Sequence, residues 1–313
     1  MIAALLGRLG RHGAAVIALG VFTGLLLPPL AAWLRPLLLP AILLPFVVAL
    51  LKVDFARTAA LLRRPGFSLL LLVWLLLASP LLVWLVSAGL AIPPELRAAV
   101  VTNAASAPLM ASGALALILG LDVGLALLTT VAATALLPLS LPPLALHLAG
   151  LGLEIDAWRL GARLGLMIGG CFLVARLVRR RLGELQLLAW GRQLDGLAVL
   201  GLLIFAVAVM DGVGDFLRQR PAYALQTLLA VFALNAGLQA IAAAIFWGHG
   251  RRTALTVGLL SGNNNIGIVL AALVVEAPVE FLVYVAMAQF PIYLLPILQK
   301  PLYEWLMAGE EET

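Results

Sequence analysis

Apolar stretches of membrane-spanning length follow one another along the whole chain, separated by short segments that carry charges, prolines or glycines. A helix of about 20 apolar residues can cross the hydrocarbon core of a bilayer. The second predicted span is short and bounded by prolines, and the segment from Arg179 to Asp195 is predicted to be the longest cytoplasmic connection, which joins the two halves. The pattern predicts ten spans, at about residues 13–31, 37–51, 67–90, 96–119, 122–146, 155–178, 194–213, 222–247, 252–275 and 280–302.

Three consecutive asparagines, Asn263 to Asn265, interrupt the ninth apolar run. An amide left unpaired in hydrocarbon costs several kcal/mol, so this cluster needs hydrogen-bond partners. Because Gly262 and Gly267 flank the cluster, the backbone can leave helical geometry there. We therefore expect a broken membrane helix with its polar break inside the membrane. The alternative is an unbroken helix whose amides bond to neighbouring helices.

A second polar segment, Thr102 to Gly113, lies in the fourth predicted span. Pro108 removes a backbone donor there, and the small Ala and Ser residues around it let another backbone come close. Spans four and nine are five apart, so they cross the membrane in opposite directions. The chain is thus predicted to contain two inverted five-helix repeats, residues 1–150 and 151–313, within one membrane domain. Two unrelated kinks are the alternative.

Composition agrees with an all-α polytopic membrane protein, since 64% of the residues are hydrophobic and 11% are charged. The basic pI does not indicate a nucleic-acid partner, because most Lys and Arg residues fall in segments beside predicted spans. By our placement 14 of the 20 basic residues lie on one side. The positive-inside rule then predicts a multi-pass protein of the inner (plasma) membrane with both termini in the cytoplasm.

Chemistry typical of an enzyme is not found in the sequence. The single cysteine, Cys171, excludes an internal disulfide and is expected to be a packing residue. Asp122 is expected to cap the helix that begins the fifth span, and Asp211 to lie near a membrane boundary rather than carry protons. Three histidines lie near predicted span ends, at His12, His147 and His249. We predict no enzyme activity, no catalytic residue and no cofactor.

Four groups of residues occur in an order that is typical of a known family. They are Val53-Asp54-Phe55 with Leu61-Leu62-Arg63-Arg64-Pro65, Ser112-Gly113 with Leu121-Asp122-Val123, Pro138 with Pro142, and Asn264-Asn265-Ile266-Gly267 before Leu270-Ala271-Ala272-Leu273. With these groups the sequence resembles a divergent member of the bile acid:sodium symporter family, within the bile acid, arsenite and riboflavin transporter superfamily. The resemblance implies a panel of helices 1, 2, 6 and 7, and a core of helices 3, 4, 5, 8, 9 and 10. Broken helices 4 and 9 would cross in the core.

Carried over to this sequence, the resemblance implies two sets of site residues. The substrate and crossover set is Asn103, Ser106, Ser112, Gly113, Asn264 and Asn265, and the ion-binding set is Ser112, Thr130, Thr134, Ser261, Asn263 and Asn264. The sequence departs from the family where sodium sites hold a span-nine glutamate, here Leu260, and a span-three glutamine, here Leu75. This chain also has Gly113 at the position where family members have an asparagine after the span-four serine. Sodium prefers several hard oxygen ligands, which leucine does not offer.

The sequence therefore predicts a secondary active transporter that moves a small organic anion or amphipathic solute by alternating access. The coupling ion is either Na⁺ or H⁺, or transport is uncoupled, and no other metal is expected. The alternative class is a non-transporting membrane sensor or scaffold of the same fold. Expected partners are a small-molecule substrate and membrane lipid, and the protein is either a monomer or a homodimer.

Overall fold

The structure is a computed structural model that describes residues 6–7, 9, 13–53, 65–150, 156–273 and 277–308. These residues are almost entirely helical, and no strand occurs among them. The helices are α1 (Gly13–Leu26), α2 (Pro28–Leu34), α3 (Leu38–Lys52), α4 (Pro65–Val73), α5 (Ser79–Ala88), α6 (Pro94–Ala104), α7 (Ser112–Ile118), α8 (Val123–Pro143), α9 (Ala157–Ala189), α10 (Gly191–Ala208), α11 (Val213–Gln219), α12 (Pro221–Ile245), α13 (Arg251–Gly262), α14 (Ile266–Ala272) and α15 (Val279–Ala308).

Seven helical elements in the described part of the chain are long and apolar enough to cross a membrane. They are Pro28–Lys52, Pro65–Ala88, Val123–Leu148, Ala157–Ala189, Gly191–Ala208, Pro221–Ile245 and Val279–Ala308. Val16–Leu26 is apolar but shorter. This confirms the prediction of a helical, multi-pass membrane protein, whereas the count of ten spans and the inverted repeat stay predictions.

The predicted boundary between the first two spans is wrong. The second helical element begins at Pro28 rather than near residue 37, and it runs to Lys52. Pro28 and Pro29 occupy the first helical positions, where a backbone N–H is not needed for the helix. Pro36 lies in a 3₁₀ turn, Arg35–Leu37, that joins α2 to α3 and so accommodates the proline without ending the element.

The predicted connection from Arg179 to Asp195 is itself mostly helical. Helix α9 continues to Ala189, and α10 begins at Gly191. The segment is rich in Arg, Leu, Glu and Gln, which favour helix. Gly183 alone leaves the helical region, at φ 73° and ψ 164°, a conformation that glycine adopts without steric cost. The connection is therefore a kinked helix rather than a loop.

One of two compact units is built around α10. This unit comprises Met1–Val53, Ala162–Leu225 and Gly267–Ala286. Helix α10 packs against both α1 and α3. A Cβ placed on Gly24 would lie 2.5 Å from the Val207 carbonyl oxygen, and one on Gly201 would lie 3.0 Å from that of Ala41. Glycine at these positions therefore allows the helices to approach closely.

Two residues discussed from the sequence lie in this first unit. The Asp211 carboxylate accepts a hydrogen bond from Arg35 Nη1 at 3.0 Å, and the Asp211 side chain is 22% exposed. A partly exposed pair of this kind contributes about 0–1 kcal/mol, and Asp211 is a paired acid. Cys171 is buried within α9, which confirms its prediction as a packing residue.

The second compact unit contains the two predicted polar breaks. It comprises Asp54–Gly161, Gln226–Ile266 and Met287–Thr313. Asp122 Oδ1 accepts a hydrogen bond from the Leu125 N–H at 2.9 Å, so the predicted helix cap is confirmed. The apolar core of this unit includes Leu71, Trp74, Leu75, Phe246, Leu255, Leu259 and Leu260.

Some residues used in the sequence analysis lie outside the described residues. Among the family-like motifs these are Asp54, Phe55 and Leu61 to Arg64. His12 also lies outside the described residues. The inference from these motifs therefore stays a sequence prediction.

Candidate functional site

The first break separates α6 from α7. Helix α6 ends at Ala104, and α7 begins at Ser112. Pro108 lies in the middle of the intervening segment and cannot donate a backbone hydrogen bond. The segment is buried nevertheless, since the exposed fraction of Ala105 and of Ala107 is 0%. Its backbone polar groups therefore need partners from elsewhere in the protein.

The second break separates α13 from α14. Helix α13 ends at Gly262, Asn263 has non-helical angles of φ −98° and ψ 80°, and α14 begins at Ile266. The interruption lies at the asparagine cluster, as the sequence predicted. Asn263 and Asn264 are both buried, whereas Asn265 is half-buried.

The two breaks pair with each other through their backbones. The Leu109 N–H donates to the Asn263 carbonyl oxygen at 2.7 Å, and the Asn265 N–H donates to that of Ala107 at 2.8 Å. Pro108 and Asn264 form an isolated antiparallel bridge between these bonds. Each break thus satisfies backbone groups that the other one frees, which non-helical backbone away from water requires.

A chain of four buried side chains runs from the second break to α15. Tyr303 Oη donates to Gln239 Oε1 at 2.7 Å, and Gln239 Nε2 donates to Asn235 Oδ1 at 2.5 Å. Asn235 Nδ2 then donates to Asn263 Oδ1 at 3.3 Å. Asn263 Nδ2 donates in turn to the Leu259 carbonyl oxygen at 3.0 Å. We call Tyr303, Gln239, Asn235 and Asn263 the amide relay.

Sequence reasoning missed three members of the amide relay. Asn235 and Gln239 are four residues apart in the otherwise apolar helix α12, so they lie on one face of it. That spacing could have marked them as partners for the asparagine cluster, because buried amides require hydrogen bonds. Tyr303 offered no comparable sequence pattern.

Glycine brings α13 close to α12 beside the second break. A Cβ on Gly262 would lie 2.4 Å from the Asn235 carbonyl oxygen and 2.5 Å from Gln239 Cγ. A Cβ on Gly258 would lie 2.7 Å from the Gln239 carbonyl oxygen. The two glycines therefore set the helix separation at which the amide relay can form.

A π-helical segment, Trp74–Ala78, supplies a further partner to α13. Trp74 Nε1 donates to Ser261 Oγ at 2.8 Å, and Ser261 Oγ donates to the Val257 carbonyl oxygen at 2.8 Å. The segment lies just before Pro80, whose ring would clash with the Leu76 carbonyl in a regular α-helix. A wider turn relieves that clash. Ser261, predicted as an ion ligand, is thus hydrogen-bonded within the protein.

The two leucines at predicted sodium-ligand positions are packed in the apolar core. The exposed fraction of Leu75 is 2% and that of Leu260 is 0%. No group of three or more His, Cys, Asp or Glu residues suited to a metal occurs in the described part of the chain. Neither leucine side chain can supply an oxygen ligand to a cation.

Hydroxyl groups near the first break are available for such a role. Ser112 Oγ and Thr130 Oγ1 are buried and have no hydrogen-bond partner among the described residues. Thr134 Oγ1 instead donates to the Thr130 carbonyl oxygen at 2.7 Å, and it lies 4.0 Å from Met110 Sδ. Thr130 and Thr134 are one turn apart in α8, and Met110 belongs to the first break.

The remaining predicted site residues are also buried beside the breaks. Ser106 Oγ donates to the Thr102 carbonyl oxygen at 2.9 Å, and Asn103 lies in the last turn of α6. Asn264 Nδ2 donates to the Ser261 carbonyl oxygen at 3.1 Å. A Cβ on Gly113 would lie 2.4 Å from Leu127 Cδ2, so α7 lies close to α8 there.

Comparison with known proteins adds no family assignment: no protein-family model matches the chain, and no curated protein matches its sequence. The resemblance to the bile acid:sodium symporter family therefore stays a prediction from the residues.

Proposed function

We propose that the protein is a secondary active transporter that moves a small organic anion or amphipathic solute by alternating access. The observation that carries this proposal is the pairing of two interrupted helices, Leu109 with Asn263 and Ala107 with Asn265. Non-helical backbone within a membrane is tolerated where it is buried in protein or lines a water-filled cavity, and transporters place such breaks at their substrate and ion sites. Paired breaks of this kind are typical of transporter centres.

The grouping of the chain supports the same proposal. Predicted spans one, two and seven, and most of span six, fall in the first compact unit, whereas spans three, four and five and most of span eight fall in the second. Spans nine and ten are divided between the two units, so the grouping agrees with a panel and a core only in part. The proposal therefore includes ten spans, arranged as two inverted repeats, with the crossing of helices four and nine in the core.

The coupling ion follows from the ligands present. Leu75 and Leu260 offer no oxygen, so a sodium ion would rely on neutral groups such as the Ser112 and Thr130 hydroxyls. A cation surrounded by neutral ligands lacks the carboxylate that offsets its charge. We therefore keep H⁺ coupling and uncoupled transport beside Na⁺ symport in this proposal.

The function can be tested with Asn264→Ala. We expect this variant to be recovered folded but to lose uptake, because Asn264 lies at the bridge between the two breaks. Uptake of radiolabelled taurocholate and of pyruvate into proteoliposomes would be measured under sodium, potassium and proton gradients. Gln193→Ala is the matched control, since Gln193 is in α10 and away from both breaks in sequence.

Two outcomes would contradict the assignment. Uptake by Asn264→Ala at the wild-type rate would remove the breaks from the transport site. Wild-type protein that is folded yet moves neither solute under any gradient would favour a sensor or scaffold. That alternative has less support, because both breaks retain buried polar residues, among them Ser106, Ser112, Asn263 and Asn264.

A further inference from the structure

A groove of about 530 Å³ lies between α12, α13 and α15 in the second compact unit. Its volume falls in the range of about 300–1,000 Å³ that is typical of small-molecule sites. Ala236, Ala240 and Ala243 form one wall at helical spacing on α12. Leu302 and Leu306 form the facing wall on α15. The walls therefore suit an alkyl body.

Three polar side chains also line this groove, namely Gln239, Gln299 and Tyr303. Gln239 and Tyr303 belong to the amide relay, so their bond to each other is already made. Gln299 Oε1 is buried and has no hydrogen-bond donor among the described residues. A buried acceptor without a donor destabilises the protein by about 1–3 kcal/mol, so a ligand that donates a hydrogen bond to this oxygen would be favoured.

The amide relay fixes the polarity of the Tyr303 hydroxyl as well. The Leu259 carbonyl oxygen can only accept, so Asn263 must direct its NH₂ group toward it and its oxygen toward Asn235. The same constraint passes to Gln239, whose oxygen must then face Tyr303. The Tyr303 hydroxyl therefore donates its single proton to Gln239. Its oxygen can form further hydrogen bonds only as an acceptor.

The charge of the occupant follows from the lining. No charged side chain lines the groove among the described residues. A carboxylate or ammonium group would lie there without a counter-charge, which is costly in an apolar setting. Gln299 Oε1 lacks a donor among the described residues, and Tyr303 Oη, whose proton is bonded to Gln239, can only accept a further bond. A neutral donor such as a hydroxyl group meets these requirements.

Two apolar residues of long helices that line the groove are also exposed. Ala240 lies on α12, and Leu302, which is 50% exposed, lies on α15. In a multi-pass membrane protein, exposed apolar side chains in a long apolar helix face lipid. The occupant can therefore enter from the bilayer.

We propose that this groove binds a hydroxyl-bearing membrane lipid, with its alkyl chain against the alanine and leucine walls and its hydroxyl donating to Gln299 Oε1. Gln299 and Tyr303 are four residues apart in α15, so the bound hydroxyl lies beside the end of the amide relay. The proposal does not depend on the transport function.

The test compares two neutral probes, dodecan-1-ol and dodecyl methyl ether, added to the full-length protein. The ether has a similar alkyl body but cannot donate a hydrogen bond. Thermal unfolding would be followed at pH 8 in dodecyldimethylamine oxide, a detergent without a hydroxyl group. We expect the alcohol to raise the Tm saturably and the ether to leave it unchanged. Equal shifts with both probes would overturn the proposal.

Three variants locate the effect. Gln299→Leu removes the unsatisfied acceptor without changing a member of the amide relay, and we expect it to weaken alcohol binding about fivefold, as the net loss of one hydrogen bond of about 1 kcal/mol predicts. Ala240→Phe fills the groove from an exposed position and should abolish the shift. Gln193→Leu is the control, because Gln193 also has a buried oxygen without a partner but does not line the groove.

An undiminished alcohol shift in Ala240→Phe would place the probe elsewhere and refute the site. An undiminished shift in Gln299→Leu, together with loss in Ala240→Phe, would refute the donor requirement at Gln299. Uptake measurements on Asn264→Ala address a different site, so either proposal can fail while the other one stands.

Discussion

The two breaks differ in how their polar side chains are satisfied. At the second break, Asn263 is bonded to Asn235 and to Leu259, and Asn264 is bonded to Ser261. Beside the first break, Ser112 Oγ has no partner among the described residues, and Ser106 bonds only within its own segment. The second break is thus held by cross-helix side-chain bonds in addition to the backbone pairing that both breaks share.

Hydrogen-bonded side chains at the second break stabilise the fold, whereas unpaired hydroxyls near the first break can still bind a ligand. A fully satisfied buried network makes its surroundings rigid, because each member that loses a partner incurs a desolvation cost. Hydroxyls without partners carry that cost already and can gain from a ligand. We therefore expect the second break to determine stability, and the hydroxyls near the first break to respond to ions or substrate.

We expect the largest difference in stability between alanine substitutions at two glycines, Gly262 beside the second break and Gly113 beside the first. Alanine at Gly262 would place a Cβ 2.4 Å from a backbone oxygen of Asn235, so a helix must move. The three atoms nearest to an alanine Cβ at Gly113 all belong to the side chain of Leu127, which can rotate away. We expect Gly262→Ala to cost about 3 kcal/mol and Gly113→Ala less than about 1 kcal/mol. Chemical unfolding in detergent would measure both, and equal costs would contradict the comparison.

A smaller effect is expected from the amide relay itself. Asn263→Leu keeps the volume but leaves Asn235 Nδ2 without its acceptor, and an unsatisfied buried donor costs about 1–3 kcal/mol. Ser106→Ala is the matched change near the first break, where the lost bond goes to a carbonyl of the same segment. We expect this variant to lose less than about 1 kcal/mol. Chemical unfolding in detergent would measure the stability of both variants. A larger loss of stability in Ser106→Ala than in Asn263→Leu would contradict the expected order.

The smallest effect is expected at Thr130. Its hydroxyl is buried and meets no partner among the residues that the structure describes, so Thr130→Val should leave stability in potassium chloride unchanged within about 1 kcal/mol. If the hydroxyl binds sodium, the variant loses any extra Tm that sodium chloride confers on the wild type over potassium chloride. Thr227→Val serves as a control at another buried threonine of the membrane helices. A marked loss for Thr130→Val in potassium chloride would show that Thr130 has a structural partner.

Local sequence features predicted both interruptions. Pro108 lacks a donor, and three amides between Gly262 and Gly267 cannot continue an apolar helix without partners. Asp122 was predictable as a helix cap because it directly precedes an apolar run. The boundary near Pro28 and the helical course through Ala189 were not predicted. There, proline at a helix start and strong helix formers after a span outweighed the change in hydropathy.

The amide relay and the groove could not be read from the chain in the same way. Asn235, Gln239 and Tyr303 are brought to Asn263 by packing between helices that are far apart in sequence. Likewise, the apolar neighbours of Trp74 gave no indication that its indole N–H reaches Ser261. Hydropathy records whether a side chain avoids water, but not which partner it meets.

The sequence by itself determined that this protein is helical, that it belongs in a membrane, and where two of its helices are interrupted. These properties follow from residue hydrophobicity and from local backbone chemistry, which act over a few residues. Only the tertiary structure decided that the breaks pair, and that Leu75 and Leu260 are buried in an apolar core. Tertiary packing also determines which buried oxygens have hydrogen-bond donors, because donor and acceptor come from helices that are far apart in sequence.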